Sequence, residues 1–278
     1  MILVIGGVTL DRLHFAGEMP NAGETATAAG GAGMYTALAA RRAGGNVTLF
    51  APRPDPLPER LSPIAAALPW LGPRIPPGEL PRLEIVHYGR GRAALRRAFW
   101  GAQARMTPSM LPDDLSQFDL VHIAALGTAQ RQLDFARACR ARGAGRISAG
   151  TYAKVVFGET ENVRALFAQS DLFFLNENEA NGLFGGAENA PDPGPGRWLF
   201  VTLGARGALV IGNQARVRVP APAVAERDPT GAGDTFCGAV LAGLDRGLEA
   251  VSAARQGVKL AAGMIQYVGP GGLLGDKG

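Results

Sequence analysis

The sequence predicts an α/β protein built on a doubly wound, mainly parallel sheet flanked by helices. Three observations predict it. From residue 118 onward, strand-like and helix-like segments alternate regularly, which favours a parallel sheet covered on both faces. The opening Met1-Ile2-Leu3-Val4-Ile5-Gly6-Gly7 is an apolar run closed by two glycines, as a buried first strand would be. Near the other end, a glycine-rich turn opens onto a run with Phe236, Val240 and Leu244 on one helical stripe.

Composition narrows the class. Apolar residues make up 47% of the 278, enough for a sizeable core, and no unbroken apolar run reaches the roughly 18 residues of a membrane helix. The start lacks a basic region followed by a long apolar stretch, so a strand and a cytoplasmic location are expected rather than a signal peptide. Cys139 and Cys237 both fall in expected helices, which suits buried thiols in a reducing compartment. His14, His87 and His122 stand alone, no Cys/His spacing suggests zinc, and none of the three receives a role. The net charge of +4 is spread over dispersed arginines and aromatics are only 7% of the chain. Nucleic-acid binding would want a concentrated basic patch with stacking rings, so neither nucleic acid nor membrane is an expected partner.

Taken in order, residues 2–6 form the first strand. Asp11 follows its carboxyl end, where open α/β sheets place ligands, although an Asx turn would use the same residue. Gly30-Gly31-Ala32-Gly33 then leads into a helix, its small side chains allowing backbone amides to approach a ligand closely. A second strand covers Asn46 to Phe50, a proline-stiffened loop 52–58, a short helix Glu59 to Leu68 and a second loop about 72–82. Leu83–Tyr88 and Ala93–Trp100 are strand-like pieces around a Gly89-Arg90-Gly91 turn, either a hairpin outside the main sheet or part of it. Next come strand 120–123, helix 129–142, strand 146–148, helix 159–168, strand 172–175 and strand 198–202. A helix over about 249–267 and a Gly269-Pro270-Gly271-Gly272 loop finish the chain.

The chemistry concentrates in Asp228-Pro229-Thr230-Gly231-Ala232-Gly233-Asp234. A helix beginning near Ala232 leaves its first N–H groups without intrahelical acceptors, and the glycines clear the side chains that would keep an anion away. With the positive end of the helix dipole, those amides suit a phosphoryl group. Asp234 beside them is either a general base for an attacking hydroxyl or a helix N-cap.

This run resembles the helix-entrance motif of the ribokinase-like (PfkB) carbohydrate kinases. The resemblance implies a ribokinase-like fold in a single domain over 1–278, with a small, shortened β lid drawn from about 11–30 and 83–100. It implies Asp234 as the catalytic base and Gly231, Ala232 and Gly233 as the anion hole. Asn176 and Glu179, in an Asn-x-x-Glu arrangement, would organise phosphate and Mg²⁺, Glu179 through water; the residue-level alternative is helix capping. Thr202, Gly204 and Gly207, in a Thr-x-Gly-x-x-Gly turn, would contact nucleotide phosphates. Asp11, Gly30, Gly31 and Tyr35 would meet the substrate together with Asp234, while Asp228 would hold a monovalent cation such as K⁺ or cap the turn.

Three departures bear on the substrate. The segment from Glu24 to Gly30 is short for a lid strand, and Tyr35 stands where the family generally carries a sugar-binding Asn. Ser148-Ala149-Gly150-Thr151-Tyr152-Ala153-Lys154 replaces the family's Asp-x-Asn-x-Arg element, with Lys154 a weak stand-in for its cation. The activity implied is ATP-dependent, Mg²⁺-assisted transfer of the γ-phosphoryl group to a hydroxyl of a small sugar, polyol or nucleoside. Two alternatives are a non-catalytic nucleotide- or sugar-binding regulator on the same fold and a kinase of a vitamin-type hydroxymethyl heterocycle. Lid strands of such kinases often pair across a homodimer, which makes one an expectation here. The resemblance is strongest over 172–245, intermediate over 1–50 and weakest over 51–117.

Overall fold

In the computed structural model, which describes residues 1–89 and 92–275, the first strand sets the frame. β1 (Ile2–Ile5) is buried at every residue and pairs parallel with neighbours on both sides. The chain then leaves this frame for an antiparallel hairpin, β2 (Thr9–Phe15) and β3 (Thr25–Gly30), and returns through α1 (Ala32–Arg42) to β4 (Val47–Phe50) beside β1. Short pieces follow: β5 (Arg53–Pro54), α2 (Ser62–Ala67), β6 (Trp70–Leu71) and β7 (Arg74–Ile75), with β6 on the edge next to β4. β8 (Arg82–Gly89) and β9 (Arg92–Phe99) form a second hairpin. The regular alternation is β10 (Leu120–Ile123), α3 (Ala129–Ala141), β11 (Arg146–Gly150), α4 (Ala153–Gly158), α5 (Thr160–Gln169), β12 (Leu172–Asn176), α6 (Glu177–Phe184) and β13 (Trp198–Thr202). The antiparallel pair β14 (Ala208–Gly212) and β15 (Ala215–Val219) precedes α7 (Ala232–Asp245), α8 (Ala250–Met264) and α9 (Gly271–Leu274).

Among the described residues the main sheet has nine strands in the order β15-β14-β13-β12-β11-β10-β1-β4-β6, parallel from β6 through β13. Strands buried on both faces read as unbroken apolar runs, and their side chains alternate between two cores. Ile2, Val4, Leu172 and Phe174 join the core under α1, α7 and α8, whereas Leu3, Ile5, Phe173 and Leu175 join the core under α3, α5 and α6. The doubly wound sheet expected from the sequence is therefore present.

A smaller sheet of order β3-β2-β8-β9 lies apart from it with its own apolar cluster of Leu13, Phe15 and Met19. This answers the question left open by the sequence: the 83–100 pieces form a hairpin, and β8 pairs parallel with β2 rather than with the main sheet. Of the Gly89-Arg90-Gly91 turn, Arg90 and Gly91 lie outside the described residues. β3 is six residues long and pairs with β2 from Thr9 to His14.

Other boundaries shift. The expected helix from Glu59 is a short 3₁₀ turn followed by α2, whose Pro63 sits in the first turn where its missing N–H costs nothing. Helix 159–168 is preceded by the separate α4, and the loop expected at Gly269–Gly272 gives way to α9. α1 and α7 pack closely because Gly238 has no side chain; a Cβ there would come within 2.0 Å of the Thr36 carbonyl oxygen.

Candidate active site

α7 begins as the residue types demand. Gly231 is its N-cap with φ of 75°, a left-handed conformation that favours glycine, and a Cβ there would meet the Tyr35 ring at 2.4 Å. The amides of Gly231 and Gly233 make no backbone hydrogen bond among the described residues, whereas Ala232 N–H donates to the Pro229 carbonyl at 3.1 Å. Two of the three candidate anion-hole amides are thus unengaged, and the third is shared with its own turn. Asp234 is not the N-cap. It is the third helical residue, in the first turn, where its carboxylate accepts no capping bond, and burial pushes its carboxyl up to about 6.

Two cavities meet at this residue. The first, about 300 Å³, is lined by Asn176, Glu179, Thr202, Gly233 and Phe236. The second, about 210 Å³, is lined by Asp11, Tyr35, Leu83, Trp100, Gln103 and Thr230. Gly231, Asp234, Ala32, Ala125 and Tyr152 line both. The candidate base therefore stands where the two spaces join.

In the first cavity, Asn176 and Glu179 realise the capping alternative in full. Asn176 Oδ1 accepts from Glu179 N–H at 3.0 Å, while Glu179 accepts from the Asn176 backbone N–H at 2.9 Å and from its Nδ2 at 2.7 Å. Capping and cavity wall coexist, since both residues face the space. Burial pushes the Glu179 carboxyl up to about 7 against the Asn176 hydrogen bonds, and the Asp234 charge adds to the rise. Thr202, at the end of β13, reaches the cavity; Gly204 and Gly207 shape the following turn and do not line it. A Cβ on Gly207 would lie 1.9 Å from the Val219 carbonyl oxygen. Lys154 is exposed and outside both cavities.

In the second cavity, Asp11 is buried on β2 and accepts Leu83 N–H from β8 at 3.2 Å; burial raises its carboxyl to about 6. It is no Asx turn but a tie between strands of the smaller sheet. Gly30 leaves room for that carboxylate, a Cβ falling 2.0 Å from Oδ2, and Gly31 lines the cavity with φ of 100°. Tyr35 is 1% exposed, and its ring is wedged against Gly231 rather than standing free in the space.

Sequence reasoning missed several lining residues. Trp100 and Gln103 carry no motif, and Tyr152, inside the 148–154 departure but given no role, is fixed by donating its hydroxyl to the Gly127 carbonyl at 2.9 Å. His87 reaches Thr230 Oγ1 at 2.9 Å. Buried His122 faces Ser148 Oγ at 2.8 Å, and burial depresses its imidazole to about 3, so it lines the first cavity as a neutral ring.

Two ions were implied, and the residues treat them differently. Among the described residues no group of three or more His, Cys, Asp or Glu could hold a metal. Mg²⁺ does not require one, because it keeps several waters and takes phosphate oxygens alongside one or two carboxylates; Glu179 with Asn176 at the cavity wall fits that habit. Asp228 is held by its own turn and by the loop after α8. Its Oδ1 accepts Thr230 N–H at 2.9 Å, its Oδ2 accepts Gly269 N–H at 2.8 Å, and the next neighbour is the His87 imidazole at 3.8 Å. The turn-cap alternative is thus present in the structure, with Asp228 accepting the N–H two residues on.

Strand ends and a helix entrance thus enclose two joined cavities that share Asp234 as a wall. The pfkB family carbohydrate kinase profile matches residues 78–274. A cytidine kinase of Thermococcus kodakarensis is 26% identical over 277 residues, spanning 96% of this chain and 97% of that protein. Among solved structures, the chain is similar to adenosine kinase from Sinorhizobium meliloti (TM-score 0.79, 21% identity, 97% and 94% of the two chains). It is also similar to Burkholderia thailandensis nucleoside kinase in complex with inosine (0.81, 18%, 97% and 93%). Ribokinase from Cryptococcus neoformans in complex with ADP is a third such structure (0.78, 21%, 96% and 93%). At these identities the structural likenesses speak to the fold.

The chain belongs to the pfkB family of carbohydrate kinases. It is a phosphotransferase that uses an alcohol group as acceptor, a sugar or nucleoside kinase with ATP as co-substrate. The non-catalytic reading is thereby set aside. No helix among the described residues is long and apolar enough to cross a membrane.

Proposed function

We propose that the protein phosphorylates a hydroxyl of a nucleoside, with ATP in the first cavity and the nucleoside in the second. The observation that carries this reading is the position of Asp234, a wall of both cavities at once. The nucleoside assignment draws on the similarity to a cytidine kinase along nearly the whole chain and on a second cavity that offers Trp100 beside Gln103, a stacking surface beside an amide.

In this mechanism Asp11 accepts a hydrogen bond from the ribose and Asp234 takes the proton of the attacking hydroxyl. The amides of Gly231 and Gly233 receive the charge of the transferring phosphoryl group, with the Ala232 N–H shared between that charge and the Pro229 carbonyl. Thr202 contacts phosphate at the end of β13, and the Thr-Leu-Gly turn with Gly204 and Gly207 holds it there. Glu179 and Asn176 are the residues that would hold Mg²⁺, which when bound neutralises phosphate charge. Phosphoryl transfer is mainly positioning and electrostatics, which this arrangement of amides and one carboxylate supplies. No step passes through a monovalent cation. The wholly exposed β9, at the free edge of the smaller sheet with Leu95 and Phe99 outward, supports pairing with a second copy.

The test is ADP release with ATP and Mg²⁺ over a panel of nucleosides, sugars and polyols, with Asp234→Asn as the blank. A nucleoside should give the highest kcat/KM. A free sugar turned over faster than every nucleoside would defeat the substrate assignment, and no ADP above the blank for any compound would defeat the reading as a whole.

A further inference from the structure

His87 lies in the segment where the resemblance is weakest, and it takes no part in the reaction proposed above. Its surroundings are nonetheless built. The residue is 3% exposed on β8, and its ring stacks on Phe15 of β2 with centroids 5.9 Å apart and planes 21° from parallel. Nε2 is 2.9 Å from Thr230 Oγ1 and 3.8 Å from Asp228 Oδ1. Nδ1 is buried with no partner among the described residues. A neutral ring that leaves Nδ1 bare carries its proton on Nε2, so the arrangement that strands no buried N–H donor is Nε2–H donating to Thr230 Oγ1.

Thr230 is the residue immediately before Gly231. Its backbone N–H is already fixed by Asp228 Oδ1, and Asp228 is fixed in turn by Gly269 N–H. The turn that presents the Gly231 and Gly233 amides is therefore held from within and from the loop after α8, and its side-chain tie to the smaller sheet is His87. The same strand also reaches the acceptor side. Leu83 and Ile85, four and two residues before His87 and on the same face of β8, line the second cavity, and Leu83 N–H holds Asp11. One strand thus touches both the residue meant for the acceptor and the turn meant for the phosphoryl group.

We propose that His87 is a positioning residue: by holding the Thr230 hydroxyl, it sets the Gly231 and Gly233 amides and couples the placement of the lid to the anion hole. The inference rests on the reading that those amides receive the transferring phosphoryl group. A lid displaced from the acceptor would release Thr230, so the amides are aligned only when β8 is seated over the substrate.

The experiment compares steady-state kinetics of wild type, His87→Leu, His87→Gln, Thr230→Val and the Leu/Val double variant on the best acceptor. Leucine keeps bulk against Phe15 and removes the donor; glutamine restores an N–H at similar reach. His87→Leu should lower kcat about 10- to 100-fold, the scale on which small misplacements act, with KM for ATP and acceptor within about twofold. His87→Gln should recover most of the loss, and the double variant should be no slower than the slower single variant. A His87→Leu enzyme with lower melting temperature but unchanged kcat overturns the proposal, as do losses that simply add in the double variant. If His87→Leu does not fold, Thr230→Val against Thr230→Ser decides, since only loss of the hydroxyl should slow turnover; equal rates overturn the proposal. An active wild type with an unaffected His87→Leu removes this inference alone, whereas a wild type no faster than Asp234→Asn removes the reading beneath it.

Discussion

The two cavities that meet at Asp234 are built in opposite ways. The proposed nucleotide side is made mostly of short pieces at the carboxyl ends of main-sheet strands and at helix entrances: Ala124 and Ala125, Gly150 to Tyr152, Asn176 with Glu179, Thr202, and Gly231 to Asp234. Each piece is folded by its own local rules, a capping box in one case and a glycine at positive φ in another. The proposed acceptor side is assembled from distant stretches, with Asp11 from β2, Tyr35 from α1, Leu83 from β8 and Trp100 with Gln103 after β9. Binding a phosphate needs backbone amides in one turn, which a short run of sequence can encode. Recognising an acceptor needs a surface, which only the tertiary fold brings together.

The largest effect should come from the shared wall. Asp234→Asn should lower kcat by roughly 10²–10⁴-fold while ATP affinity by calorimetry stays within a few-fold. In the native enzyme the base must be ionised, and with its carboxyl at about 6 the rate should be flat from pH 7 to 8 and fall as pH drops through about 6. A rate unchanged down to pH 5 would mean that another group takes the proton.

Breaking the nucleotide side alone is the next test. Gly231→Ala forces a side chain onto a φ of 75° and into the Tyr35 ring, so kcat should fall at least about tenfold and the fold should lose about 1–3 kcal/mol. Normal kinetics with a normal melting temperature would show that the turn tolerates what the geometry forbids. On the acceptor side, Asp11→Asn should raise the acceptor KM about tenfold and leave ATP binding alone. If the ATP KM rises instead, the separation into two sides is wrong.

The smallest effect is on stability. The Asp234 carboxyl is raised from 3.8 to about 6 by burial, so the folded state holds that proton more tightly than the unfolded chain. Its contribution is fully present below the unfolded pKa and is lost as pH rises through about 6. Without ligands, Asp234→Asn should therefore melt a few degrees higher than wild type at pH 8 and lose that advantage near pH 4. Identical melting curves at pH 8 would show that the ionised carboxylate costs the fold nothing.

The same contrast explains what the sequence made legible. The main sheet, the entrance of α7 and the Asn176–Glu179 element could be read because apolar alternation and capping chemistry are local signals. The ambiguity of Asp234 between cap and base could not be settled from residue types, since both roles use a carboxylate in a first turn; only its lack of a capping bond separates them. Trp100, Gln103 and His87 gave no signal because nothing in their neighbourhoods differs from an ordinary strand or turn, and Tyr152 was visible only as part of the 148–154 departure. Tyr35 was visible as a departure, yet its packing against Gly231 depends on two helices 200 residues apart in the chain meeting side by side. β6 and α9 escaped for a plainer reason, being two and four residues long.

That meeting of helices has a reach beyond packing. α1 opens on Gly31 and Ala32, α7 opens on Gly231 and Ala232, and both entrances face the joined cavities. The gap between the two glycine turns is set by how closely the helices approach. It is gauged two turns away, where Gly238 lets the Thr36 carbonyl come closer than any methyl would permit. The spacing of the two entrances is thus machined into the molecule as one missing carbon, at a point outside both cavities.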